Sequence, residues 1–199
     1  SGAAGMDILE PIAKAGAMVG GLHPAYPFSD VEISIRGLSG ATFAIEFSQD
    51  KLRDWLHAIV NDFNGKVIEI PAGKKANYHA ALVIASNYMV TLYAAAQSLL
   101  GDLSDNPEAI DNALNSLMSG TLENLQGKGI PEALTGPLVR ADTITIEKHL
   151  HVLKQDTLLH ETYIDLARLS YPMLRARGTD IDKIETLLRQ DNIHASDNP

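Results

Sequence analysis

Apolar positions alternate with others from Ala41 to Phe47: Ala41, Phe43, Ile45 and Phe47 share one face and Thr42, Ala44 and Glu46 the other. That period of two predicts a strand. The period then changes. Leu52, Trp55, Leu56, Ile59, Val60 and Phe63 recur at helical spacing, with Ser48 as the expected N-cap and Asn64-Gly65 as the stop. Lys66 to Ile70 predicts a second strand, closed by Pro71. Strand, helix and strand within about thirty residues is the length of a right-handed crossover between parallel strands. Upstream, Ile8, Leu9 and Ile12 suggest a helix, and Gly16 to Leu22 predicts a short buried strand running into His23-Pro24.

Past Pro71-Ala72-Gly73 strand signals almost stop, so the pattern divides the chain into an α/β part, residues 1–72, and an all-helical part, residues 73–199. No formal charge occurs from Ala80 to Leu100. That is long enough to cross a membrane. However, Ser86, Asn87, Thr91, Gln97 and Ser98 are spread through it and no basic cluster flanks it. A helix apolar all round is instead expected to be covered by neighbouring helices or by a second subunit. Asn106 predicts an N-cap with Pro107 at the first helical position, followed by the stripe Ile110, Ala113, Leu114, Leu117 and Met118, which Gly120 could interrupt. Asp142 is the expected cap of a helix carrying Ile146, Leu150 and Leu153. Leu158 to Leu169 predicts another, ended or kinked by Pro172. A last helix spans Ile181 to Leu188, and a tail from Ala195 to Pro199 is expected to fray.

Composition narrows the partners. Sixteen basic against 25 acidic residues leave a net charge of −9, the wrong sign for neutralising phosphates along a nucleic acid. The absence of cysteine removes disulfides, thiolate nucleophiles and zinc–thiolate sites, and fits a reducing cytoplasm. The opening residues lack the basic stretch and apolar run of a secretory signal.

Most short chemical motifs fail. The dinucleotide fingerprint needs glycines at n, n+2 and n+5. Gly127 and Gly129 begin one, but Glu132 ends it. His160-Glu161 opens like a zinc-protease helix, yet position 164 is Ile164. His149 and His151 would point about 200° apart on a helix, so no metal site is expected. Among the remaining candidates, His23 follows a glycine-rich strand, where strand ends border ligand crevices; it could move a proton or simply be held in its loop. His79 and Asn87 interrupt the apolar helix, eight residues and about 12 Å apart along its axis, and could border one cleft. Thr135 and Arg140 stand in a turn between helices. Arg140 could clamp a phosphate or carboxylate, or pair with Asp142 and hold the turn. The acidic residues are scattered and expected to be solvated.

Taken in order, Gly20-Gly21-Leu22-His23-Pro24 with Phe28, Tyr78-His79-Ala80-Ala81, Ala85-Ser86-Asn87-Tyr88, Thr121-Leu122-Glu123-Asn124 and Leu134-Thr135-Gly136-Pro137 with Arg140 and Asp142 resemble a bacterial Rossmann-like family. It is the family bearing domain of unknown function 2520, similar in plan to pyrroline-5-carboxylate reductase and the 6-phosphogluconate dehydrogenase superfamily. The resemblance implies part of a Rossmann-like α/β domain, lacking its first half and the glycine fingerprint, followed by an all-α domain of the dimerisation type. It further implies NAD or NADP as cofactor, a small-molecule substrate held between the two parts, and a homodimer through the 80–100 helix. His23 and His79 would transfer protons, Asn87 would orient substrate, and Thr135 and Arg140 would bind an anionic group. A non-catalytic dimerisation and ligand-binding module is the alternative. Two departures from the family pattern bear on substrate shape: Ala25-Tyr26-Pro27 between His-Pro and Phe28, and Ala141 where glycine is common.

Overall fold

A computed structural model of the protein describes residues 4–28 and 30–196. By their contacts they fall into two compact units, one ending at Ala94 and the other beginning at Ala95. The secondary structure is mainly helical with one small sheet.

In the first unit a 3-10 turn, Met6–Leu9, leads into α1 (Glu10–Lys14) and β1 (Gly20–Pro24). There follow α2 (Val31–Leu38), β2 (Thr42–Phe47), α3 (Asp50–Asp62) and β3 (Lys66–Glu69). The sheet order is β1-β2-β3. β2 runs parallel to β3, as the crossover length requires, and antiparallel to β1, with Gly21 opposite Glu46 and His23 opposite Ala44. Leu52, Leu56 and Val60 of α3 close over Phe43 and Ile45. Each such side chain, fully buried, contributes about 1.5–3 kcal/mol. The stop after α3 is made by Asn64, which takes the left-handed conformation (φ 52°) that a short amide side chain tolerates. Gly65 then passes too close for any side chain, since a Cβ there would sit 2.8 Å from the Ala41 carbonyl oxygen and 2.9 Å from Val60.

Several expectations need correction. Gln49, not Ser48, is the N-cap of α3, and the Ser48 hydroxyl instead accepts the Val19 N–H at 3.0 Å, tying the entry of β1 to the exit of β2. The strand predicted over Gly16–Leu22 lies later and includes His23 and Pro24. Both faces of β2 are covered, so Glu46 is buried rather than solvated. The proposed loop at Ser1-Gly2-Ala3 falls outside the described residues.

α4 (Lys75–Leu82) continues through a π-helical turn, Val83–Asn87, into α5 (Tyr88–Gly101), which crosses the division between the units. This rod is long and apolar enough, by length and composition, to span a membrane. No residue of α5 is buried, so among the described residues neighbouring helices cover it only in part.

The second unit holds α6 (Pro107–Lys128), α7 (Thr143–Leu153), α8 (Thr157–Leu169), α9 (Tyr171–Ala176) and α10 (Asp182–Ser196). Asn106 and Asp142 cap α6 and α7 as their positions predict, accepting the N–H groups of Ala109 and Thr145. Gly120 does not interrupt α6. Pro172 sits in the first turn of α9, where its missing N–H costs nothing. The core is built by Ile146, Leu150, Ile164, Leu174, Ile184 and Leu188. His160, from the failed zinc motif, is buried with Nε2 2.6 Å from Asp191 Oδ2, and Lys154 approaches the other carboxylate oxygen at 2.7 Å. Ala195 and Ser196 still belong to α10, and the rest of the expected fraying tail lies outside the described residues.

Candidate functional site

β1 ends at His23-Pro24 on the edge of the sheet, and α4 brings Tyr78 and His79 to the same place. His23, Ala25, Tyr26, Pro27, His79, Leu82, Val83, Ala85, Ser86 and Asn87 line one cavity of about 310 Å³, wholly within the first unit. Three candidates chosen from sequence therefore share a wall. The π turn helps to place them. Tyr88 N–H bonds to the Val83 carbonyl, five residues back, and the wider turn presents Ser86 and Asn87 together beside His79. Single π turns inside α-helices recur at functional sites.

His23 Nδ1 and Tyr78 Oη share a hydrogen bond of 2.9 Å, with the rings edge to face. Burial, and then the nearby Lys75 ammonium, hold the His23 imidazole below its usual pKa, so it is neutral at physiological pH. Burial pushes the Tyr78 phenol up, which keeps it protonated. Lys75 Nζ lies 5.9 Å from the centre of the Tyr78 ring and 2.7 Å from Glu46 Oε2. The side chains of Lys75 and Glu46 are 6% and 7% exposed, so this is a buried ion pair fixing the start of α4 to β2. Gly21, opposite Glu46 in the sheet, leaves the space beside the pair open.

What the cavity can do follows from its walls. Imidazoles accept or donate protons, the Asn87 amide offers both a donor and an acceptor, and Leu82, Val83 and Ala85 provide apolar contact. Its volume is at the lower end for a ligand pocket, enough for a small molecule or one ring of a larger one. Thr135 and Arg140 belong to the second unit, where both are exposed in the turn before α7. Among the described residues Arg140 forms no ion pair with Asp142. That carboxylate is held below its usual pKa by bonds from the Thr145 hydroxyl and N–H, with a smaller contribution from the Arg140 charge. Ala141, between them, has φ 49°, a conformation that favours the glycine common there in the resembled family.

Sequence reasoning missed Lys75 and Glu46 and gave Tyr78 no role of its own. Lys75 reads as one of two lysines in a polar turn, and Glu46 as the outward residue of an alternating strand. The one available signal is Gly20-Gly21, which marks a close approach against the neighbouring strand. A Cβ at Gly20 would lie 2.7 Å from the Glu46 carbonyl oxygen.

The profile of a protein family described as "Domain of unknown function (DUF2520)" matches residues 41–170. Among solved structures, the chain resembles protein TM1727 from Thermotoga maritima at 25% identity and a TM-score of 0.72, covering 88% of this chain and 67% of that one. It also resembles the "putative NADP oxidoreductase BF3122" from Bacteroides fragilis at 24% identity and a TM-score of 0.66, covering 84% of this chain and 61% of that one. This chain thus spans about two thirds of the length of these structures. No curated protein matches it.

Proposed function

Because the chain belongs to the family defined by domain of unknown function DUF2520, we propose that it carries the substrate-handling part of an NAD(P)-dependent oxidoreductase. The observation that carries this reading is the convergence of His23, His79 and Asn87 on one cavity. The likeness in fold to the Bacteroides protein, named for NADP chemistry, supports it. In this reading residues 1–72 are the later part of a Rossmann-like domain and residues 73–199 an all-α domain of the dimerisation type.

The residues present fit one end of the cofactor. A cavity with imidazole and amide walls suits a nicotinamide ring or the small molecule that reacts with it. The glycine triplet that would let a pyrophosphate approach backbone N–H groups does not occur in this sequence. A bound reduced nicotinamide supplies a hydride. This chain's own residues do the rest: Asn87 orients the substrate, and His79 provides or takes up the proton that accompanies reduction or oxidation. Thr135 and Arg140, in the second unit, are proposed to bind an anionic group. The test is consumption of NADPH by the protein carrying the rest of its Rossmann-like domain, against a set of small carbonyl and imine compounds. Turnover with at least one of them is expected. The reading fails if nucleotide is neither bound nor consumed.

A second reading, a non-catalytic dimerisation and ligand-binding module, draws on the apolar face of this helix, where Ile84, Tyr88 and Val90 are 64%, 55% and 67% exposed. The two readings share a homodimer through residues 80–100, since contiguous apolar surface of this kind is normally covered by protein. Light scattering after size exclusion is expected to give twice the chain mass at micromolar concentration without detergent. A stable monomer would remove the dimer from both.

A further inference from the structure

We infer that Tyr78 is a positioning residue for His23: its hydroxyl donates to Nδ1, which leaves Nε2 as the protonated nitrogen offered to a ligand in the cavity. The inference rests on reading that cavity as a reaction site. Its basis is the 2.9 Å bond, which joins residues 55 positions apart in sequence and ties the end of β1 to α4.

The distance alone permits two arrangements. Either the phenol O–H donates to Nδ1, or Nδ1–H donates to the phenol oxygen. Chemistry separates them. A phenol is a good donor and a poor acceptor, because its oxygen lone pair is drawn into the ring, whereas the bare nitrogen of a neutral imidazole is a strong acceptor. In the reverse arrangement the part-buried hydroxyl proton would have no protein acceptor among the described residues and would turn to solvent. Both partners must be neutral for the favoured arrangement, and the surroundings provide this. Burial opposes the phenolate and the imidazolium alike, and the Lys75 ammonium, anchored by Glu46, adds to the cost of a second positive charge on His23.

The consequence is a substrate class. A fixed, neutral N–H favours an acceptor atom, such as the oxygen of a carbonyl or the nitrogen of an imine, and polarises its double bond toward carbon. The site is therefore set to receive the oxidised partner of the pair. With a bound reduced nicotinamide as the hydride donor, the carbon would gain hydrogen and the heteroatom would take its proton from the side chain of His79. His23 keeps its own proton throughout.

Two-bond proton–nitrogen spectra of the histidine-labelled chain test the assignment, with the His23 signals identified by their loss in His23→Asn. The Nε2–H tautomer is expected in about tenfold excess beyond the intrinsic preference of a free histidine, the bias that one net hydrogen bond supplies, and Tyr78→Phe is expected to abolish that added bias. A wild-type spectrum showing Nδ1–H, or a Tyr78→Phe spectrum with the bias intact, overturns the inference. Should Tyr78→Phe not fold, the wild-type spectrum decides alone. No nucleotide is present in these samples, so the result stands or falls separately from the oxidoreductase reading.

Discussion

Lys75→Met is expected to destabilise the first unit by about 3–5 kcal/mol, because it leaves the Glu46 carboxylate buried without its partner. Two ions taken out of water recover their hydration only through each other, and here both side chains are more than nine-tenths buried. Removing one strands the other. Removing both does not, so Glu46→Leu combined with Lys75→Met is expected to recover most of the loss. Urea unfolding of the wild type and both variants checks this: a single variant as stable as the wild type would mean that water reaches the pair. The single variant also reports on the site. Lys75 is the second cause, after burial, that holds His23 below its usual pKa, so the value should rise in Lys75→Met when followed by NMR titration. A histidine whose folded pKa is lowered contributes no penalty above about 6.5 and destabilises the fold as pH falls through its folded value.

How far the sequence could be read depended on whether a pattern reported its own neighbours. The β2-α3-β3 unit was legible because the alternation in β2 and the helical stripe of α3 each belong to surfaces that meet one another. α2 was not. Val31, Ile33 and Ile35 alternate with Glu32, Ser34 and Arg36 at strand period, yet the segment is helical. Asp30 caps it by accepting the Ile33 N–H at 2.9 Å, and Ser34 rather than an isoleucine is the buried residue. Local hydrogen bonding outweighed the apolar pattern there. The rod over residues 75–101 was legible as a helix, but what covers it was not, because an apolar helix carries no record of its partner. At the site, His23, His79 and Asn87 stood out as polar breaks in apolar runs. The Tyr78 bond and the buried ion pair depend on contacts between β1, β2 and α4, which no local spacing encodes.

The largest expected effect on activity belongs to His79. If it supplies the proton that completes reduction, its loss removes a general acid, a contribution of about 10²–10⁴ in rate. Alanine at this half-buried cavity position deletes the imidazole while leaving the His23–Tyr78 bond and the Lys75–Glu46 pair in place. Nucleotide affinity should therefore stay within about twofold, and the loss should fall on kcat, as expected when the missing interaction belongs to the transition state. The measurement is kcat/KM of wild type and His79→Ala for NADPH-dependent reduction of a carbonyl or imine substrate turned over by the wild type. The account predicts a fall of about 10²–10⁴ with nucleotide binding retained. Unchanged turnover in the folded variant would place the chemistry outside this cavity.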